Sequence, residues 1–245
     1  MTYIEMLQKA RESTSENAKH QKQQLKVLFF RRLGFYITPF FLMMNVSANK
    51  ITFLGLFIGI VASLLIWTGN VFIGIVAYFF VVLLDHVDGT VARVRGEATF
   101  FGRFIDGYFE ILVDSCIRLA ISALIAGTYG ISWIVWLGIV STILIPMHHL
   151  FYDRYSAFSR WINEEHPQEK IKPYLRSEKP MYYNMVEDVQ ILLLFCLPLY
   201  FYSATYSYVL LSIYFILNIY MAIYTLYTYT LSAYKNFIIS AKPHR

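Results

Sequence analysis

The sequence predicts an all-α polytopic membrane protein with six transmembrane helices, preceded by an N-terminal interfacial amphipathic helix. Three observations lead to this fold class. Hydrophobic residues make up 57% of the 245 residues and charged residues only 15%, and a mean hydropathy of +0.48 is too high for a soluble domain. Six apolar stretches are long enough to cross the roughly 30 Å hydrocarbon core of a bilayer as helices. Arginine and lysine collect in alternate connections between these stretches.

The first segment, residues 1–45, is predicted to be cytoplasmic and to contain a basic interfacial helix at 25–45. Its second half is apolar, but Gly34 and Pro39 interrupt it, and a seventh span here would destroy the charge asymmetry of the connections. The charged residues before this helix leave no apolar core for a cleavable signal peptide. The segment is therefore expected to remain in the mature protein.

The six predicted spans form a membrane domain at 46–234, followed by a cytoplasmic tail at 235–245. Helices are favoured over strands because the stretches lack alternation and because a helix satisfies all its backbone groups inside lipid. The connection at 152–187 is the only sizeable soluble segment, and its prolines favour a structured cytoplasmic loop with short helices. The predicted spans are residues 50–68, 71–92, 104–127, 131–151, 188–203 and 206–232.

The placement of charge predicts the orientation of these spans. The connections after the first, third and fifth spans contain no charged residue, so they are predicted to lie outside. The other connections carry arginine and lysine and are predicted to be cytoplasmic, together with both termini. The chain is therefore expected to be an integral protein of the cytoplasmic (inner) membrane.

Its two cysteines, Cys116 and Cys196, lie in apolar stretches and predict neither a disulfide framework nor a metal cluster.

Five carboxylates occupy positions in or beside the second and third spans, where a bilayer disfavours them. A charged side chain costs roughly 2.5–3.5 kcal/mol at the bilayer centre and less near its surface. Helical spacing places these acids on one face of each span, and the short connection makes the two spans antiparallel neighbours. The first face consists of Asp85, Asp88, Gly89, Ala92 and Arg93, and the second of Gly102, Asp106, Glu110 and Asp114. The acids are therefore expected to meet and to need a neutralising partner.

Clustered carboxylate oxygens are the ligands that Mg²⁺ and Mn²⁺ prefer, and no histidine or cysteine is expected to join them, which argues against zinc. Four residues advance about 6 Å along a helix, so Asp106 and Glu110 can share a metal site. Asp114, about 12 Å from Asp106 by the same rise, is expected to lie beyond that site. The small residues of the two faces leave room for a nucleotide or its phosphates to approach the backbone. Arg93 is suited to a bidentate phosphate contact.

The two faces together form one sequence pattern. It reads Asp85-x-x-Asp88-Gly89-x-x-Ala92-Arg93, eight further residues, then Gly102-x-x-x-Asp106-x-x-x-Glu110. This pattern closely resembles the signature of the CDP-alcohol phosphotransferase (CDP-alcohol phosphatidyltransferase) family, which includes phosphatidylinositol-phosphate, phosphatidylglycerol-phosphate and phosphatidylserine synthases. It departs from the signature at Glu110, where the family has aspartate. The resemblance covers the first three spans well and the last three only by helix count.

A second segment, at the start of the first span, supports the resemblance. Residues Ser47 to Thr52 are similar to the family's Pro-Asn-x-x-Thr segment, with Ala48 in place of the proline. In the family this region lies near the nucleotide. The donor-binding residues that the resemblance implies are Asn49, Thr52, Asp88, Gly89, Ala92, Arg93 and Gly102.

The resemblance implies a transferase that moves a phosphatidyl or other substituted phosphate group from a CDP-alcohol, such as CDP-diacylglycerol, to the hydroxyl of an alcohol. CMP is released, and the pathway is phospholipid or related glycoconjugate biosynthesis. It also implies two Mg²⁺ or Mn²⁺ ions on Asp85, Asp88 and Asp106, with Glu110 as the base and an additional ligand. A homodimer is implied by the resemblance only, and no nucleic acid partner is expected.

Candidates for acceptor binding lie near the same spans. They are Asp114, Arg118, His148, His149 and Arg154. Asp114 and Arg118 are four residues apart, so an i, i+4 ion pair is an equally good interpretation of both. The two histidines are also typical of polar anchors at a membrane interface, and the cation at Arg154 is equally explained by topology and anionic lipid.

Two further functions and one packing question stay open at this point. A cation transporter would use intramembrane acids as its ion path, but it predicts acids near the midplane and related halves, whereas these acids lie at one edge. A CDP-alcohol-binding scaffold with weakened catalysis would explain Glu110. The tyrosines of the sixth span are predicted to pack against neighbouring helices or a second subunit.

Overall fold

The protein is described by a computed structural model that is entirely helical over the residues it describes. These are residues 2–18, 25–168, 171–172, 202 and 204–240. Within these ranges there are seven α-helices and no strand. The helices are α1 (Tyr3–Ala18), α2 (Leu25–Met43), α3 (Ala48–Trp67), α4 (Val71–Arg95), α5 (Phe100–Tyr129), α6 (Trp133–Glu165) and α7 (Ala204–Ser240). The predicted all-α class is confirmed for this part of the chain.

Four of the described helices are long and apolar enough to cross a membrane: α3, α4, α6 and the stretch Tyr208–Phe237 of α7. They cover the predicted first, second, fourth and sixth spans, and the chain is an integral membrane protein. Helix α5 covers the predicted third span but is not among the four. The predicted span 188–203 falls mostly on residues outside the described ranges, so the count of six spans stays a prediction.

The N-terminal segment contains two helices, of which the sequence predicted one. Helix α2 lies where the interfacial helix is expected and continues through Pro39, while its place at a membrane surface stays a prediction. Helix α1 packs on α2 and α4. The hydroxyl of Tyr3 donates to the carbonyl of Tyr36 at 2.9 Å, and Nη2 of Arg11 donates to the Tyr36 hydroxyl at 3.2 Å. These two hydrogen bonds hold α1 against α2.

The chain divides into two compact units, Met1–Ile121 and Ser122–Arg245. In the first unit α2, α3 and α4 share a core formed by Ile51, Leu84, Val87 and Val91. Helices α3 and α4 form a close hairpin at Gly74, where an added Cβ would lie 2.6 Å from the side chain of Ile66. The shared apolar core and the close approach at Gly74 therefore hold these helices together.

The turn from α4 to α5 sets the relative position of the two predicted acid faces. Gly96 ends α4 with a left-handed backbone (φ +67°), which glycine adopts without the strain that most side chains would cause. The N–H of Glu97 then donates to the carbonyl of Ala92 at 2.9 Å. At the start of α5, the Thr99 hydroxyl accepts the N–H of Gly102 at 3.0 Å and caps the helix. Both helix ends are thus closed by local hydrogen bonds.

In the second unit, α6 runs much further than the sequence suggests. Residues 152–165 were expected to begin a cytoplasmic loop, but they continue the helix to Glu165. The reason is packing against α7, because the buried ring of Tyr155 lies 5.5 Å from that of Tyr229 and 5.3 Å from that of Phe237. Asn236 also donates to the Tyr155 hydroxyl at 2.9 Å. A helix with such a buried face has no reason to end at 151.

The chain just after α6 is held by one asparagine. Nδ2 of Asn163 donates to the carbonyl of Ile171 at 2.8 Å, and the N–H of Ile171 donates back to Oδ1 of Asn163 at 2.9 Å. The rest of the predicted loop, 173–187, lies outside the described residues. The prediction of a structured loop is therefore supported only near the end of α6.

Candidate active site

Asp88 is the most buried acid of the predicted motif. Its side chain on α4 is 4% exposed, and the Thr52 hydroxyl on α3 donates to its Oδ2 at 2.6 Å. The Thr52 hydroxyl also lies 3.1 Å from the carbonyl of Ala48. A hydroxyl has a single proton to donate, and the shorter contact goes to the carboxylate. Thr52 therefore orients one oxygen of Asp88 and ties α3 to α4 at the motif.

Asp85 and Asp106 meet across the gap between α4 and α5. Their carboxyl groups are in close contact, and the charges of both act on Asp88. The acids of the two faces were expected to meet, and the structure brings these three together. Like charges this close repel, and a cation bound by these carboxylates would relieve the repulsion.

His86 joins these acids, although the sequence analysis expected no histidine among them. Its Nδ1 lies 3.3 Å from Oδ2 of Asp85, but it makes no hydrogen bond, so the contact is one of charge and proximity. His86 is one residue along the helix from Asp85 and hence off the predicted face. The half-exposed Asp85 side chain reaches around to it. Helical periodicity does not reveal this contact, because it fixes Cβ directions and not the reach of side chains.

The predicted donor residues gather at the same end of the first unit, where α3 and α5 begin and α4 ends. An added Cβ on Gly102 would lie 3.3 Å from Oδ1 of Asn49, so the Asn49 amide lies against the first turn of α5. The absence of a side chain at Gly102 is what admits this amide. Asn49 and Thr52, one turn apart on α3, therefore contact α5 and α4 respectively.

Arg93 folds back along α4 over the motif glycine. A Cβ on Gly89 would lie 3.2 Å from Nη1 of Arg93, and Nη2 donates to the Thr90 hydroxyl at 3.2 Å. The charge of Asp88 also acts on this guanidinium. Ala92, half-buried beside it, adds no bulk. Arg93 is thus placed next to the motif acids without forming an ion pair with them in the part of the chain that is described.

Residues 45–222 match the sequence model of the CDP-alcohol phosphatidyltransferase family. The chain belongs to this family. The match begins just before α3, extends into α7 and contains all the motif acids, whereas α1 and α2 precede it. No protein with a curated description matches the chain.

A metal centre is the first feature to test against this family, which is generally dependent on divalent metal ions. The donor chemistry fits, because Asp85, Asp88 and Asp106 supply only carboxylate oxygens. The geometry is less complete: among the described residues, no group of three or more histidine, cysteine, aspartate or glutamate side chains is arranged to hold a metal ion. Thr52 holds one oxygen of Asp88, and Asp106 contacts Asp85 directly.

Glu110 occupies the position of the family's fourth motif aspartate. It lies one turn beyond Asp106 on α5, its side chain is exposed, and its charge acts on the hydroxyl of Tyr78. It therefore stands between the motif acids and a second polar group deeper in the same helix pair. Its predicted roles as base and metal ligand stay predictions.

The deeper polar group surrounds Asp114. The Tyr78 hydroxyl donates to Oδ1 of Asp114 at 2.7 Å, and Tyr78 is 5% exposed and Arg118 2% exposed. The charges of Asp114 and Arg118 act on the Tyr78 hydroxyl with opposite sign. Asp114 thus has a structural partner in Tyr78, and the part of Asp114 and Arg118 in acceptor binding stays a prediction.

The remaining acceptor candidates belong to the second unit. His148 is buried, and its ring lies 4.9 Å from that of His149. Arg154 is exposed, with its guanidinium 5.8 Å from the ring centre of Phe158. They lie on successive turns of α6, and their part in acceptor binding stays a prediction.

Proposed function

We propose that this protein transfers a phosphatidyl or other phospho-alcohol group from a CDP-alcohol to the hydroxyl of an alcohol acceptor and releases CMP. The family membership supports the reaction class. The observation that carries the proposal is the contact between Asp85 and Asp106 beside the buried Asp88, because such a concentration of negative charge calls for cations.

The donor is held at the end of the first unit where α3 and α5 begin. Arg93 offers its guanidinium to a phosphate, since its Nη groups already lie over the side-chain-free surface of Gly89. Asn49, placed against Gly102, offers an amide to the nucleotide. The small motif residues keep this surface open, so that phosphate oxygens can approach the helix backbone.

Two Mg²⁺ or Mn²⁺ ions held by Asp85, Asp88 and Asp106, with Glu110 as a further ligand, would neutralise the diphosphate and make its phosphorus more electrophilic. Thr52 supports this set by fixing one Asp88 oxygen and leaving the other available. Asp85, the most exposed of the three acids, supplies oxygens at the surface. The protein's share of the catalysis is therefore charge placement and orientation.

Glu110 removes the proton from the acceptor hydroxyl, since it is exposed on the turn of α5 next to Asp106. The hydroxyl oxygen forms a bond to the phosphorus that carries the donor alcohol. The bond from this phosphorus to the oxygen of the CMP phosphate breaks, and CMP leaves with that oxygen. Glutamate performs the same proton transfer as the family's aspartate, with a carboxylate extended by one methylene.

We further propose that the reaction takes place at the cytoplasmic face of an inner membrane, with a lipid-linked donor such as CDP-diacylglycerol. Arg93 and Arg95, at the end of α4, support this orientation, since cations collect on the cytoplasmic side. The exposed apolar surface of the four spanning helices supports a donor that arrives from the bilayer.

The test uses the full-length protein purified into nanodiscs. CMP release is measured with a panel of CDP-alcohols, including CDP-diacylglycerol and CDP-glycerol, and with alcohol acceptors that include glycerol 3-phosphate, serine and inositol phosphates. We expect release with at least one pair in the presence of Mg²⁺ or Mn²⁺, loss of release with EDTA, and recovery when the metal is restored. Absence of CMP release across the whole panel with either metal would refute the proposal.

A further inference from the structure

A second arginine, outside the family match, lies close enough to Arg93 for the two charges to interact. Arg31 lies on α2, ahead of residues 45–222, and is half-buried. Its Nη1 is completely buried and has no hydrogen-bond partner. A buried guanidinium nitrogen without an acceptor is costly, because it has given up water and gained nothing in exchange.

The packing of α2 on α4 explains how Arg31 comes to this place. An added Cβ on Gly34 would lie 3.6 Å from Cβ of His86, so the two helices are close at the motif. The Phe30 ring lies 4.8 Å from that of Phe79 and 6.1 Å from that of His86. These contacts fix the turn of α2 that carries Arg31 against the half of α4 that carries the motif.

Arg31 and Arg93 are close enough for their positive charges to act on each other. Among the described residues, neither forms an ion pair with a carboxylate, and Arg93 makes its one side-chain hydrogen bond to the neutral Thr90 hydroxyl. Two neighbouring guanidinium groups repel, and the repulsion is greater where water is partly excluded. An anion between them would remove that repulsion and supply the missing acceptor for Nη1 of Arg31.

We propose that Arg31 is a second phosphate-binding residue, which holds the diphosphate of the CDP-alcohol donor together with Arg93. The inference rests on the proposed function. A diphosphate fits because it presents oxygens on two adjacent phosphates, and each guanidinium can offer a planar pair of N–H groups to one of them. The N-terminal helices thereby complete a site whose other residues all lie within the family match.

The test compares two neighbouring arginines. Arg31→Gln removes the half-buried charge, and Arg32→Gln removes an equal charge from the exposed face of the same helix. We measure the KM for CDP-alcohol, the KM for the acceptor and the Kd of CDP with Mg²⁺, in nanodiscs of zwitterionic phosphatidylcholine. For Arg31→Gln we expect the donor KM and the Kd of CDP to rise about tenfold or more, with the acceptor KM unchanged. Arg32→Gln is expected to match the wild type.

Arg31→Lys separates binding from folding, because it keeps the charge but loses the planar fork. It is expected to show a smaller rise in the donor KM and a wild-type thermal midpoint. If Arg31→Gln does not fold, the lysine variant decides alone, and an unchanged donor KM would overturn the inference.

The other outcomes are also decisive. An active wild type in which Arg31→Gln equals Arg32→Gln overturns the role of Arg31 and leaves the proposed function standing. A wild type that neither binds CDP nor releases CMP overturns both.

The anion could instead be a lipid phosphate, so the measurement is repeated with phosphatidylglycerol. A defect that appears only in those anionic nanodiscs would assign Arg31 to the lipid and overturn its donor role.

Discussion

Helices α4 and α5 carry two groups of ionisable residues whose side-chain partners differ. The motif cluster, Asp85, Asp88 and Asp106, brings acids into contact with one another. The inner cluster, Tyr78, Asp114 and Arg118, pairs an acid with a hydroxyl donor beside a buried cation. Both clusters lie on the same helix pair and both contain aspartate, so the difference lies in the partners of those aspartates.

Magnitudes show why the partners matter. An ionised side chain in the middle of a bilayer costs roughly 2.5–3.5 kcal/mol, and a buried hydrogen bond between helices offsets about 1–2 kcal/mol of that. The inner cluster holds both an acid and a cation, so its charge can be balanced within the protein. In the motif cluster Asp88 accepts from Thr52, whereas the negative charges of Asp85 and Asp106 act on each other, and a bound cation would remove that repulsion. A cluster whose charges are balanced within the protein indicates a structural role. A cluster of like charges indicates that a ligand binds there.

The largest effect is expected at the centre of the motif cluster. Asp88→Asn removes one negative charge beside Asp85 and Asp106, while its amide oxygen can still accept from Thr52. We expect turnover to fall by more than roughly 100-fold, with no decrease in the thermal midpoint of the metal-free protein in detergent, because a repulsion has been removed. CMP release and thermal unfolding measure the two effects.

Glu97→Gln is the matched control, since Glu97 is an exposed acid just beyond the same end of α4 and pairs loosely with Arg95 at 3.9 Å. It is expected to keep its turnover. An Asp88→Asn protein that is destabilised but active would reverse the comparison, because the motif cluster would then be structural.

The inner cluster is expected to give the opposite result. Tyr78→Phe removes the donor to Asp114 at 2.7 Å and is expected to lower the free energy of unfolding by about 1–2 kcal/mol. The folded fraction should retain the wild-type KM for both substrates. Tyr108→Phe, at an exposed tyrosine of α5, is the control and should leave stability unchanged. A raised acceptor KM at unchanged stability would return Asp114 to the acceptor site.

The sequence alone predicted the helices well where their hydrophobic content decides the outcome. The stretches around Val71 and Ala48 are apolar over a full membrane thickness, so length and composition suffice. It did not predict that the helix of the fourth span continues through 152–165, where mixed charge masks a helix whose buried face packs on α7. Such a face is only visible once the partner helix is in place.

The candidate site was predictable to the extent that helical periodicity controls it. The spacing of the acids was enough to predict that Asp85 and Asp88 share one face of α4 and that this face meets Asp106. Periodicity could not find His86, which contacts Asp85 from off that face. It also could not find Arg31, whose position depends on the packing of α2 across α4. Contacts between helices that are distant in sequence carry no local signal.

A smaller effect is expected from filling the space next to the motif cluster. Gly102→Ala would place a Cβ 3.3 Å from Oδ1 of Asn49 and from Oγ1 of Thr99, so the Asn49 amide must shift by a few tenths of an ångström. We expect the donor KM to rise by about threefold to tenfold at unchanged thermal midpoint. Gly107→Ala is the control on the same helix, because nothing lies within 4 Å of its added Cβ. Equal kinetics for the two variants would show that Asn49 does not contact the donor.

The smallest effect is expected at Glu110. This residue lies between the two clusters, and its variant shows to which of them it belongs. Glu110→Asp restores the family's residue and shortens the carboxylate by one methylene. If Glu110 acts on the acceptor hydroxyl, turnover should stay within about threefold of the wild type or increase, since the same proton transfer remains possible. The thermal midpoint should not change, because an exposed carboxylate contributes little to folding.

Complete loss of turnover would mean that the acceptor geometry is tuned to glutamate. A lower thermal midpoint at normal turnover would instead assign Glu110, through its charge on Tyr78, to the inner cluster.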